Sequence, residues 1–202
     1  MSAAVMMERS AGASPRFKAR MAGGLYLFSL LTAAITEIFV RGRLNIAGGL
    51  IAVAGMAAMT LLFYDLFKPV NRGLALLAAF FSFAGLAFEA LRWQPRGVNV
   101  ALVFAGLFCL LSGYLILRST FLPRILGALM ALAGLSWLTF LSTPLANYLS
   151  PYNVASGILG EVSVFLWLLV MGVNAARWKD SPQSAQRLTE KSASTRTGGD
   201  GG

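Results

Sequence analysis

Histidine is absent from all 202 residues, and cysteine occurs once, at position 109. The first absence removes the commonest metal ligand and the commonest proton shuttle near neutral pH, and with them any Ser/His/Asp set. The second excludes an internal disulfide, and a lone thiol in an uncharged stretch reads as a small packing residue. Charge is scarce as well. Asp, Glu, Lys and Arg together make up 12% of the chain, where a soluble domain carries about a quarter. No glycine loop that could cradle a phosphate and no Gly-x-Ser-x-Gly elbow is found. The pairs Gly23-Gly24 and Gly48-Gly49 stand near the ends of apolar runs and suit helix packing. These gaps leave no cofactor or metal to expect, and the reading is non-enzymatic, because the usual nucleophile and base pairings are missing.

What is present is hydrocarbon. The chain is 57% hydrophobic with a mean hydropathy of +0.69. Six apolar stretches run at about 22–40, 46–66, 73–91, 98–117, 123–141 and 154–177, each near the ~20 residues that cross a bilayer core. The fold class that follows is an all-α integral membrane protein, a six-transmembrane-helix bundle forming one domain over 21–178. A basic N-terminal tail, 1–20, and a Ser-, Thr- and Gly-rich tail, 179–202, are expected to be disordered, with too little apolar surface to fold. The first span is not a cleaved signal peptide on this reading, since it is long and lacks a convincing small-residue cleavage site. Pro69 and Pro123 are expected in first helical turns, where a missing N–H costs nothing.

The joints are short and basic. Counting Lys and Arg on alternate sides puts 13 on the side of the two tails and the joints at 68–72 and 118–124. Only Arg41, Arg43, Arg92 and Arg96 fall on the other side. Both termini are therefore expected in the cytoplasm, in a cell membrane. The net charge of +9 and isoelectric point near 10.5 are read as contacts to the lipid bilayer's anionic headgroups at that face, not as nucleic-acid binding.

Three carboxylates fall within spans: Glu37, Glu89 and Glu161. A charge at the helix centre costs at least ~2.5–3.5 kcal/mol on insertion scales, so each needs a reason. With the termini inside, all three are expected in the outer third of the bilayer. Tyr26, Ser29 and Ala33 share a helix face with Glu37; Ala75, Ala79, Ser82 and Gly85 share one with Glu89; Gly157 lies one turn before Glu161. This pattern points to an outer-facing cavity with Glu37, Glu161, Glu89, Tyr26, Ser29 and Ser82 as candidate lining, binding or transporting a small polar or cationic solute. Against it, Arg41 and Arg92 stand at ion-pair spacing from Glu37 and Glu89. Asp65 is expected to pair with Lys68 near the surface. Asn99 and Asn153 read as helix caps, and most Trp and Tyr as an interfacial belt, with Trp137 and Trp167 deeper. The alternative function is a structural or interaction subunit, a homo- or hetero-oligomer packing through small-residue faces around Gly127, Ala131 and Gly134.

The joints also carry a resemblance. Segments 19-ARMAGGLYL-27, 36-TEIFVRGRL-44, 67-FKPVNRGLALLAAFF-81, 113-GYLILRSTFLPRILGALMALAGL-135 and 160-GEVSVFLWLLVMGVN-174 resemble an uncharacterised bacterial multi-pass membrane family, the domain of unknown function 4386 family. By position the resemblance takes in Glu37, Arg41, Pro69, Asn71, Arg72, Gly73, Tyr114, Arg118, Pro123, Arg124, Gly127 and Glu161. It implies an integral membrane protein and brings no established activity. The chain departs from the family in three ways. Two of the family's outer connections are nearly missing, Phe108 stands where the family often has His, and Glu89 has no clear counterpart.

Overall fold

The computed structural model describes residues 14–40, 42–92, 95 and 98–179. Among them every regular element is helical. Six helices are long and apolar enough to cross a membrane: α1 (Pro15–Phe39), α2 (Arg43–Phe67), α3 (Arg72–Leu91), α4 (Val100–Arg118), α5 (Arg124–Leu138, extended by a 3-10 turn, Thr139–Leu141) and α7 (Tyr152–Val170). Two short helices, α6 (Thr143–Leu149) and α8 (Ala175–Lys179), follow α5 and α7. The protein is a multi-pass membrane protein with the expected six-helix architecture.

Several ends move, each for a local reason. The first helix begins at Pro15, so residues 15–20, expected in a disordered tail, are instead its opening turns. Ser14 caps it by accepting from the Phe17 N–H at 3.3 Å, and Pro15 supplies a pre-set φ where no N–H is needed. The polar turns are tolerated because Lys18 reaches across to Asp65 on α2. Residues 1–13 and 180–202, most of the two tails, lie outside the described residues. Pro69 falls in the turn before α3, which Asn71 caps through the Leu74 N–H at 3.0 Å, rather than in the helix's first turn. Pro123 takes the N-cap position of α5. The last span, expected to reach 177, stops at Val170. Gly172 adopts φ +70°, and the N–H groups of Met171 and Gly172 both return to the Trp167 carbonyl, at 2.8 and 3.2 Å. That is a glycine-terminated helix end, and only glycine takes such a φ without strain.

The six spans form a closed ring. Each packs on the next in sequence, and α7 closes against α1. Lipid tails supply no hydrophobic drive for helix association, so the closure depends on close approach. At Gly23 a Cβ would sit 2.4 Å from the Phe165 carbonyl oxygen, so α1 and α7 touch backbone to backbone there. The same holds between α4 and α5: a Cβ on Gly127 or Gly134 would lie 2.8 Å from the carbonyls of Gly113 or Gly106. The small face around Gly127, Ala131 and Gly134, expected to receive a partner protein, is therefore consumed inside the chain.

Two ends of the bundle can be told apart. At the terminal end, where Ser14 and Lys179 lie, the interior is filled by rings. Tyr26 stacks on Phe165 with centroids 3.9 Å apart. Phe63 meets Phe67 at 4.4 Å and Phe108 at 5.5 Å, and Phe67 meets Phe121 at 5.5 Å. The cavity described next lies between mid-span and the far end, which is bounded by Phe39, Leu91, Val100 and Tyr152.

Candidate functional site

Glu161 occupies the middle of α7, nine residues from either end. The outer-third depth expected for it is corrected: Glu37 and Glu89 lie two residues from the far ends of α1 and α3, whereas Glu161 lies at mid-span. Three helices converge on its carboxylate. The Tyr26 hydroxyl of α1 donates to Oε2, and the Trp137 indole N–H of α5 donates to Oε1 at 2.6 Å. The Cys109 thiol of α4 donates to the same oxygen at 3.0 Å. With α7 itself, four of the six spans meet on one side chain. Each donor is neutral. Among the described residues no Lys or Arg lies within ion-pair distance of Glu161; the salt bridges there are Lys18–Asp65 and Lys68–Asp65.

Local sequence explains this convergence. Gly157 lies one turn before Glu161, and a Cβ there would fall 2.7 Å from the Trp137 ring, so the glycine makes room for the indole whose N–H reaches the glutamate. Tyr26 lies flat against Phe165, one turn after Glu161, which directs its hydroxyl end toward the carboxylate. Cys109 is fully buried in a helix whose one charged residue is Arg118, at its last position. An indole N–H in hydrocarbon has no water to satisfy it and must find an acceptor. Trp137, which lies deeper than an interfacial belt, was therefore the one sequence signal that could have led to this contact. Cys109 carried no such signal.

Glu161 remains partly exposed, and it lines a cavity of about 190 Å³ that extends from mid-span toward the far end. Tyr26, Met56, Met59, Ser82, Phe108 and Glu89 lie on the same wall system. Apart from the two carboxylates the polar groups are few, and the Ser82 hydroxyl is already engaged with Thr60 at 2.7 Å. Glu89 also lines a second cleft, of about 110 Å³, together with Glu37, Asn45 and Arg92. The carboxylates thus form a series, Glu37 with Glu89 in the far-end cleft and Glu89 with Glu161 in the deeper cavity.

Of the six residues expected together, Tyr26, Ser82, Glu89 and Glu161 share the deeper cavity and Glu37 lines the far-end cleft instead. Ser29 lines neither. It is buried against Gly55 of α2 and donates to the Leu25 carbonyl at 2.7 Å. The ion pair expected between Glu89 and Arg92 is not formed: Arg92 ends α3 in a left-handed conformation, φ 49°, and donates to the Asn45 side-chain oxygen. Arg41, the expected partner of Glu37, lies outside the described residues. Asn99 caps α4 as expected, through the Leu102 N–H at 3.3 Å. Asn153 is instead buried and donates to Thr139 Oγ1 and the Ala146 carbonyl, tying α7 to the α5–α6 connection.

Comparison with known proteins agrees with the resemblance read from the joints, over a shorter stretch than the 19–174 expected. An uncharacterized protein of the archaeon Archaeoglobus fulgidus is 28% identical over 120 residues, an alignment spanning 54% of this chain and 72% of the relative. Being archaeal, it lends no support to a bacterial restriction. No solved structure matches. The model of the family described as Domain of unknown function (DUF4386) matches residues 85–172, which include Glu89, Cys109, Trp137 and Glu161, and it is this family that the chain resembles.

Proposed function

We propose that the protein is a non-catalytic solute-binding or transporting protein of the cell membrane, with both termini cytoplasmic and the deeper cavity reached from outside. The solute is a small cation or a small polar molecule carrying positive charge. One observation carries this reading: Glu161 is a mid-span carboxylate held by three neutral donors, with no cation beside it among the described residues and a cavity on its open side. An ionised group in hydrocarbon must be neutralised, hydrated or protonated. The three donors fix the orientation of the carboxylate and leave its charge uncompensated, which a cation in the cavity would correct. Glu89 supplies a second negative group nearer the entrance, and the cleft with Glu37 extends the series outward.

The test uses the purified full chain in a neutral detergent, with methylammonium and tetramethylammonium as probes and sodium chloride at equal ionic strength as reference. Thermal stabilisation by at least one ammonium probe is expected, lost in Glu161→Gln and weakened in Glu89→Gln. Equal shifts in all three proteins would remove the reading. Orientation has its own test: reporter fusions at the two ends are expected to be active in the cytoplasm, and activity confined to the other side would reverse it.

A further inference from the structure

A cavity larger than the one beside Glu161 is also present among the described residues. It lies at the terminal end and measures about 560 Å³. Three separate pieces of chain build it: the first turn of α1 through Arg16, the α4–α5 joint at 120–123, and the elbow at 171–177. No Asp or Glu lines it, whereas two arginines do, Arg16 and Arg177. The Arg16 guanidinium has no acceptor among the described residues, and Arg177 makes one long contact, Nη1 to the Thr120 carbonyl at 3.5 Å. Both side chains are exposed. Next to them Arg20 is already committed, donating to the Val170 carbonyl at 2.9 Å, where a cation offsets the negative end of α7.

The elbow that carries Arg177 is tied down. Its Asn174 N–H donates to the Phe121 carbonyl at 3.4 Å, and the Trp178 indole donates to the Leu66 carbonyl at 2.8 Å. On the other wall, Gly172 packs so closely on Arg16 that a Cβ would meet its Cγ at 2.9 Å. The remaining wall is apolar and aromatic: Phe121, Leu122, Trp167 and Met171. Met171, on that wall, is itself exposed. Two exposed guanidinium groups, one without an acceptor among the described residues and one held by a single long contact, stand beside an apolar wall where a span ends. They match the chemistry of an amphiphile with an anionic phosphate. Planar guanidinium forks bind phosphate oxygens in pairs.

We propose that this cavity is a specific site for a phosphate group, supplied by the headgroup of an anionic phospholipid. The experiment counts bound phosphatidylglycerol on the full chain by native mass spectrometry, with an uncharged diacyl glycolipid as reference. Arg16→Gln/Arg177→Gln is expected to weaken phosphatidylglycerol binding about tenfold, equivalent to ~1.4 kcal/mol. A control double variant, Arg72→Gln/Arg124→Gln, removes the same charge from the same end and is expected to leave binding within about twofold, since surface charge alone is diffuse. Equal weakening by both double variants would reduce the effect to general electrostatic attraction and overturn the proposal, as would no weakening by the first. Inorganic phosphate at millimolar level is the last arm. Failure to compete supports the lipid as the source, and full competition overturns that assignment in favour of a soluble phosphate.

Discussion

Asp65 and Glu161 are both carboxylates within helices long enough to span the membrane, and the protein treats them in opposite ways. Asp65, near the terminal end of α2, accepts from two lysines, Lys18 of α1 and Lys68 in the following turn. Glu161, at the middle of α7, accepts from a phenol, an indole and a thiol. The first arrangement cancels charge and clips α1 to α2 near the headgroups, where lysine stems can reach water. The second fixes geometry with neutral donors alone and brings no cation to the carboxyl among the described residues, beside a cavity. Where this chain needs a carboxylate only as a fastener, it supplies the cations itself. At Glu161, where no Lys or Arg pairs among the described residues, the proposed cationic solute would take the place that the lysines hold at Asp65.

This contrast can be broken most forcefully with Glu161→Ala, which strips the acceptor from Tyr26, Trp137 and Cys109 together. Interhelical hydrogen bonds in membranes are worth ~0.6–2 kcal/mol each, so a loss of about 3 kcal/mol is expected in reversible unfolding from mixed micelles. A loss below about 0.5 kcal/mol, the size of an ordinary surface change, would show that the three bonds hold nothing together. Removing the indole donor alone, by Trp137→Phe, is expected to cost about 1 kcal/mol by the same measure.

The sharper pair is Asp65→Asn against Glu161→Gln. Asp65→Asn leaves two lysines without their counter-charge and is expected to cost about 1 kcal/mol, shrinking as salt is raised. Glu161→Gln keeps the shape and an acceptor for Trp137 and Cys109, while Tyr26 can turn its hydroxyl to accept from the new amide. Its stability is expected to stay within about 0.5 kcal/mol of the parent, because the amide keeps all three hydrogen bonds. Unfolding that gave the reverse ranking would mean that Glu161, not Asp65, is the neutralised fastener. The smallest structural effect is expected from Glu89→Gln. That carboxylate is exposed on the cavity wall and has no hydrogen bond among the described residues, so stability should change by less than about 0.5 kcal/mol.

How much of this was readable beforehand differs between the two carboxylates. The Asp65–Lys68 pair followed from spacing alone, because residues three apart meet on a helix. Its second partner, Lys18, does not follow from spacing, because the polar, basic opening turns of α1 have the composition of a tail. The six spans were equally legible, since an uncharged run of about twenty residues has few other fates. Glu161 was found as an oddity in hydrocarbon, but its partners lie 135, 52 and 24 positions away, and no local pattern encodes which helices face one another. For the same reason the stripe around Gly127 was identified correctly as a packing face while its partner, α4 of the same chain, was not. Ser29 failed for a simpler reason: a helix face shared with Tyr26 does not fix which neighbouring helix each residue meets, and Ser29 met Gly55.

Equilibrium binding of methylammonium and tetramethylammonium to the purified parent, Glu161→Gln and Asp65→Asn proteins, side by side, tests the central claim most directly. Saturable binding of at least one probe is predicted, with affinity intact in Asp65→Asn and reduced at least about tenfold in Glu161→Gln, a change of ~1.4 kcal/mol. Binding that survived in Glu161→Gln and disappeared in Asp65→Asn would contradict it.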